Sequence, residues 1–192
     1  MGGRPGYEFF EADSNYLYTI CQWFPRMAKY NDVYGWQNKQ FLGRGEYTLH
    51  FGHYDVRITV PADHIVASTG ELQNMMEVLT KEQIDRYKKS RSASSPMIII
   101  SQDEAIINEK SKSKKVKTWR YKAKNVRDFA FTSSRKFIWD AMGVKLGDRT
   151  VMAMSYYPKE ANPLYERYST RAVAHTLNVY SKYTFDYPYP VA

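Results

Sequence analysis

The chain has 192 residues, 43% of them hydrophobic and 25% charged, a balance that fits one folded domain or a domain with part of another and excludes wholesale disorder. Its 28 Lys and Arg against 20 Asp and Glu leave a formal charge of +8, a surplus compatible with an acidic partner but specifying none. A single cysteine, Cys21, excludes an internal disulfide and a cysteine-rich zinc site.

The longest aliphatic run, Met97-Ile98-Ile99-Ile100, is far short of the roughly 20 apolar residues that a membrane-crossing helix needs. The start, Met1-Gly2-Gly3-Arg4-Pro5-Gly6, has no apolar signal core, and Gly6 stands where a myristoylation signal requires Ser or Thr. Aromatic residues make up 16%, with 17 Tyr, 9 Phe and 4 Trp. Such side chains suit half-buried strand faces, and the chain is expected to be mainly β.

In chain order, Tyr18 to Phe24 reads as a strand closed by Pro25. From His53 to Val60 the period is two: Tyr54, Val56, Ile58 and Val60 share one face, with Asp55, Arg57 and Thr59 on the other. Pro61 ends it. Ile65-Val66-Ala67 is the next strand and Gly70 its turn. A helix starts at Thr80, where Gln83 completes a capping box; Ile84 and Tyr87 face inward, while Lys81, Glu82, Asp85, Lys88 and Lys89 face water.

Ser90 to Pro96 is a polar loop, and Met97 to Ser101 is a strand. Lys110 to Lys117 holds five lysines in eight residues and reads as a solvated loop. It leads into a strand in which Trp119, Tyr121 and Ala123 alternate with Arg120 and Lys122. Phe129 to Ser133 and Thr150 to Tyr157 complete the strands.

After Pro158 the pattern changes. Asn162 caps a helix with Pro163 in first position, and Leu164, Tyr168, Ala172, Thr176, Val179 and Tyr183 recur at helical spacing. This helix of about five turns either covers the sheet or opens a second domain, and the second reading is favoured. The expected division is residues 1–157 as the β domain and 158–192 as a linker and the first helix of another.

The four histidines, His50, His53, His64 and His175, are followed by Phe51, Tyr54, Ile65 and Thr176, so His-Glu-x-x-His is absent. His50 and His53 would point to opposite faces of an extended chain. Cys21, among Ile20, Trp23 and Phe24, reads as a buried thiol. There is no nucleophile elbow, Walker motif or dinucleotide fingerprint, and Gly43-Arg44-Gly45 is too short to cradle phosphate. The lysine run with Trp119 and Tyr121 could contact phosphate and stack on bases, or it could be a charged loop guarding a strand edge. Without a nucleic-acid-binding motif, the second reading is preferred.

Three strings carry a resemblance. The first is Gln22-Trp23-Phe24-Pro25-Arg26-Met27-Ala28-Lys29-Tyr30-Asn31-Asp32, followed by Gly35-Trp36. The second is Tyr54-Asp55-Val56-Arg57-Ile58-Thr59-Val60-Pro61, continuing to Val66-Ala67-Ser68-Thr69-Gly70-Glu71-Leu72-Gln73-Asn74. The third joins Thr118-Trp119-Arg120-Tyr121-Lys122-Ala123 to Asn125-Val126-Arg127-Asp128-Phe129-Ala130-Phe131. In order and spacing they resemble the N-terminal β domain of the aminopeptidase N family of zinc metallopeptidases, above all its large bacterial members. Tyr187-Pro188-Tyr189-Pro190 is similar to the segment just before that family's exopeptidase motif. The likeness covers roughly residues 16 to 190.

The resemblance implies a saddle-like antiparallel β-sandwich with one short helix and a long C-terminal helix, packed against a thermolysin-like catalytic domain. The family's zinc ligands, general-base glutamate and catalytic tyrosine fall beyond Ala192, so no catalytic, cofactor-binding or metal residue is expected in these residues. Zinc is expected in the catalytic domain instead. The family's β domain can lend a glutamine to the substrate amine site, but Gln22 is read as part of the strand leading to Trp23.

The partners implied are the rest of the same chain and, in the parent, a peptide substrate. A parent exported to the periplasm or cell envelope is compatible with this reading. Trp23, Phe24 and Trp119 are expected in core or interdomain packing. The alternative is a stand-alone module whose aromatic strand face stacks on sugar rings or nucleobases.

Overall fold

The computed structural model describes residues 6–12, 14–39 and 48–192. Gly43-Arg44-Gly45 and the first five residues lie outside them. The elements run β1 (Gly6–Ala12), β2 (Asn15–Cys21), β3 (Lys29–Asn31), β4 (Gly35–Gln37), β5 (Gly52–Pro61), β6 (Ile65–Ser68) and β7 (Glu71–Leu72). Next come α1 (Met75–Val78), α2 (Lys81–Ser90), β8 (Met97–Ile100), α3 (Gln102–Ser111), β9 (Val116–Val126) and β10 (Phe131–Ser134). The last are β11 (Ile138–Leu146), β12 (Arg149–Tyr157), a 3-10 turn (Lys159–Ala161) and α4 (Leu164–Tyr183).

The fold is mainly β, with antiparallel sheets in the orders β1-β2-β10-β6, β12-β11-β8, β3-β4 and β5-β9-β7.

The alternation in β5 sets the packing. Ile58 is buried and Tyr54, Val56 and Val60 are half-buried, while Asp55, Arg57 and Thr59 are exposed. In β9, Trp119, Tyr121 and Ala123 turn inward. They meet Phe129, Phe137, Ile99, Ile100, Trp139 and Met152 in one core between the sheets. Trp139 stacks on Tyr156 at 5.0 Å, and the Tyr121 hydroxyl donates to Val66 O at 2.7 Å. Each such aromatic body removed from water contributes roughly 2–3 kcal/mol. Because Trp119 and Tyr121 are core residues, they cannot stack on bases.

Two capping boxes start the middle helices. Thr80 Oγ1 accepts from Gln83 N while Gln83 Oε1 accepts from Thr80 N, and Ser101 and Glu104 repeat the arrangement at α3. Glu104 also receives a two-pronged ion pair from Arg86, at 2.7 and 2.9 Å, and a bond from Gln83 Nε2 at 3.1 Å. This ties α2 to α3. The expectation of one short helix is therefore incomplete, because α3 and the single turn α1 accompany α2.

Helix α4 lies on β11 and β12, burying Thr170, Ala174 and Leu177 against Val144, Leu146, Val151 and Ala153. The buried side is the small-residue side, which lets the helix approach the sheet closely. The stripe read from the sequence faces outward: Leu164 is 61% exposed, Tyr168 59% and Tyr183 74%. The helix also begins one residue later than expected, with Pro163 at its N-cap.

Beyond α4 the chain folds back. Met152 N donates to Pro190 O and Met154 N to Ala192 O, and Ala192 N donates to Met152 O, each at 2.9 Å. Val191 thereby forms a parallel bridge with Met152 on the outer edge of β12. Arg149 fastens the approach by donating to the carbonyls of Pro188 and Asp186.

Candidate functional site

The segment after β2 is fastened before it emerges from the body. Trp23 donates its indole N–H to Phe129 O at 3.0 Å and meets Phe24, Phe129 and Phe131 edge-on. Arg26 pairs with Asp128 at 2.8 Å and lies over the Phe24 ring. From this anchor the β3–β4 hairpin projects. Tyr30 and Trp36 stand opposite one another in its register with rings 5.3 Å apart, and a turn with Gly35 at φ +69° joins the strands.

Tyr30 and Trp36 are both more than half exposed, and Met27, Val33 and Tyr34 are exposed beside them. A two-stranded ribbon is marginal by itself, and these side chains give it an exposed apolar surface. The pattern Tyr30, then Asn31 to Gly35, then Trp36 is a hairpin signal that reading the segment only as part of a resemblance passed over.

The second surface is the outer side of α4. Leu164, Tyr165, Tyr168, Tyr180, Tyr183 and, just beyond, Phe185 are exposed there. At its C-terminal end a mostly apolar groove of about 480 Å³ runs between Val173, Leu177 and Tyr180 and the returning Phe185, Tyr187 and Pro188.

The residues considered for chemistry do not converge. His50 and His175 are exposed. His53 Nδ1 accepts from Asn125 N at 3.0 Å. His64 is buried, with Nδ1 2.8 Å from Ser133 Oγ; burial and the charge of Arg135 hold its pKa down at about 4, against the opposing pull of Asp63. Cys21 is half-buried at the end of β2, more open than expected. The lysine run is partly structural: Lys112 donates to Ser14 O and Asn15 Oδ1, both at 2.8 Å, and Lys117 to Val78 O at 3.1 Å.

Two buried polar clusters serve architecture. Asp140 accepts from Tyr157 at 2.8 Å and from Thr170, which in turn meets Ser155 at 2.7 Å. With one proton to give, Thr170 donates to the carboxylate and accepts from Ser155. Lys136, fully buried, pairs with Glu109 at 3.1 Å and Glu160 at 2.7 Å, and Lys159 closes the group on Glu109.

Among the described residues no group of three His, Cys, Asp or Glu side chains is placed to hold a metal ion. No helix among the described residues is long and apolar enough to cross a membrane. What the structure offers instead is two surfaces of exposed aromatic and apolar side chains, one on the β3–β4 hairpin and one on α4. Neither a protein-family model, nor a curated protein, nor a solved structure gives a match to this chain.

Proposed function

We propose that the chain is the non-catalytic N-terminal β domain of a zinc peptidase similar to aminopeptidase N, together with the first helix of the catalytic domain. One observation carries the reading: the three strings of the resemblance are physically interlocked. Arg26–Asp128 and Trp23–Phe129 join the first to the third, and Tyr121–Val66 joins the third to the second. Residues more than 100 positions apart are thus brought into contact, as the parts of one domain should be. In this reading the exposed side of α4 meets the rest of the catalytic domain, so that the β domain beneath it braces that domain, and the β3–β4 hairpin walls the peptide cleft. Zinc and its chemistry belong to that other domain.

The test has two parts. Coding sequence following Ala192 is expected to give Gly-x-Met-Glu and then His-Glu-x-x-His. The purified 192-residue chain is expected to leave aminoacyl-p-nitroanilides intact with and without added zinc. Zinc-dependent turnover by this chain, or a continuation lacking both motifs, refutes the proposal.

The Tyr30–Trp36 pair favours one other reading, a binding module that stacks sugar rings on this hairpin. Titration with oligosaccharides, followed by tryptophan fluorescence, separates the two: saturation lost in Trp36→Ala supports the module, and an unchanged spectrum supports the peptidase domain.

A further inference from the structure

The outer face of the β5–β9–β7 sheet is electrostatically unbalanced. Three cross-strand pairs stand there: Thr59 opposite Thr118, Arg57 opposite Arg120, and Asp55 opposite Lys122. The two threonine hydroxyls bond at 2.9 Å. Asp55 draws in both cations flanking it on β9, Lys122 at 3.4 Å and Arg120 through Nη2 at 3.1 Å and Nε at 3.3 Å. Arg57 is left facing a like charge with neither an ion pair nor a hydrogen bond for its side chain among the described residues. Like charges directly opposite in an antiparallel pair destabilise a sheet, so an arginine here costs stability unless something else engages it.

Arg57 also borders a concavity of about 790 Å³ between this face, α1 and α2. Its rim carries Arg120 and, from α2, Lys88, whose ammonium likewise has no partner among the described residues. Leu72, Met75 and Ile84 supply an apolar floor. One carboxylate, Glu77, lines the concavity; it accepts from Asn74 Nδ2 at 2.8 Å and keeps its charge, which acts on Arg120, so the cations Arg57, Lys88 and Arg120 outnumber it. Asn74 is itself pinned to β9, accepting from Arg120 N and donating to Thr118 O, both at 2.9 Å. The wall beside the two unmatched cations is therefore fixed before any ligand arrives, which lowers the ordering cost of binding.

We infer that this concavity binds a phosphate monoester carried on an apolar body. Arg57 and Lys88 supply two unmatched positive charges for a dianion, the planar guanidinium of Arg57 suits two phosphate oxygens, and the floor accepts the organic group. The inference is independent of any peptidase assignment, because it uses residues on the sheet face, α1 and α2 only.

Phenyl phosphate is the probe, titrated in phosphate-free buffer and followed by amide chemical shifts. Saturable shifts centred on β5, α1 and α2 are expected, with weaker binding of inorganic phosphate, which lacks the apolar body, and of benzoate, which carries one charge. Arg57→Gln is expected to lower the affinity about tenfold or more while raising the thermal midpoint of the unliganded protein. Lys88→Gln should weaken binding without that gain. Shifts that never saturate, equal binding by Arg57→Gln, or a benzoate affinity matching that of phenyl phosphate would overturn the inference.

Discussion

The Tyr157 hydroxyl donates to Oδ2 of Asp140 at 2.8 Å, in a pocket that Thr170 closes from the side of α4. Burial lifts the Asp140 carboxyl above its usual range, against the hydrogen bonds of Thr170 and Tyr157 and with help from the charge of Glu166. The folded chain therefore holds this proton more tightly than the unfolded one, so the stability linked to Asp140 is full below about pH 4 and is lost as pH rises through the folded value. Asp140→Asn, which mimics the protonated acid, is expected to raise the thermal midpoint at pH 8, with the gain shrinking toward pH 4. A midpoint lowered at pH 8 would show that the ionised carboxylate is the favoured form.

His64 works in the opposite direction. Its folded pKa of about 4 lies below the unfolded value, so the unfolded chain takes up the proton first. Stability is whole above about pH 6.5 and falls as pH drops toward 4, by roughly 3 kcal/mol if His64 acts alone. Asp63 begins to contribute only in stronger acid: burial raises its carboxyl, but Arg135 and the Ser113 amide together pull it below its usual range. Urea unfolding of His64→Asn across this window is expected to lack the step between pH 6.5 and 4. A step of unchanged size assigns it elsewhere.

Lys136 tests how a buried charge is held. Lys136→Met leaves Glu109 buried with only Lys159 beside it, at an expected cost of about 3–5 kcal/mol in urea unfolding. Removing both charges together, in Lys136→Met with Glu109→Leu, is expected to recover most of that loss. If the double variant is as unstable as the single, packing rather than charge decides the site.

Gly143 on β11 passes hard against the end of α2. A Cβ there would lie 2.0 Å from Arg91 O, a backbone atom that cannot swing aside. Gly143→Ala is expected to cost about 3 kcal/mol, visible as a lowered denaturation midpoint with an unchanged urea slope. A loss under about 0.5 kcal/mol, the range of neutral surface changes, would mean the strand and helix separate easily.

Thr80→Ala and Ser101→Ala each remove a cap, at about 1 kcal/mol. The two boxes share Glu104, which completes the box at Ser101 and accepts from Gln83 of the other. Their costs are therefore expected not to add in the double variant. Strict additivity in a double-mutant cycle would uncouple the helices.

What the sequence revealed follows from how unevenly its faces are exposed. Strand β5 could be read because its two faces differ, and α2 because its cap and wet face agree. Strand β11 could not: Ile138 to Ala141 are buried on both faces, which erases the period of two. Helix α3 lacks an apolar stripe, burying only Ala105 and Glu109, although Ser101 and Glu104 carried its start signal. In α4 the side that packs was not legible, since Thr170 and Ala174 are buried while the tyrosines stay out. The two exposed aromatic surfaces were not legible either, because Tyr30, Trp36 and Tyr168 are indistinguishable from core aromatics by residue type alone.

The short parallel ladder between residues 190–192 and Met152 to Met154 has a practical side. Deleting residues 190–192 would strip a lid from a row of amide and carbonyl groups and leave an adhesive seam along β12. A trimmed version should then clump as its concentration rises, and light scattering would register the difference.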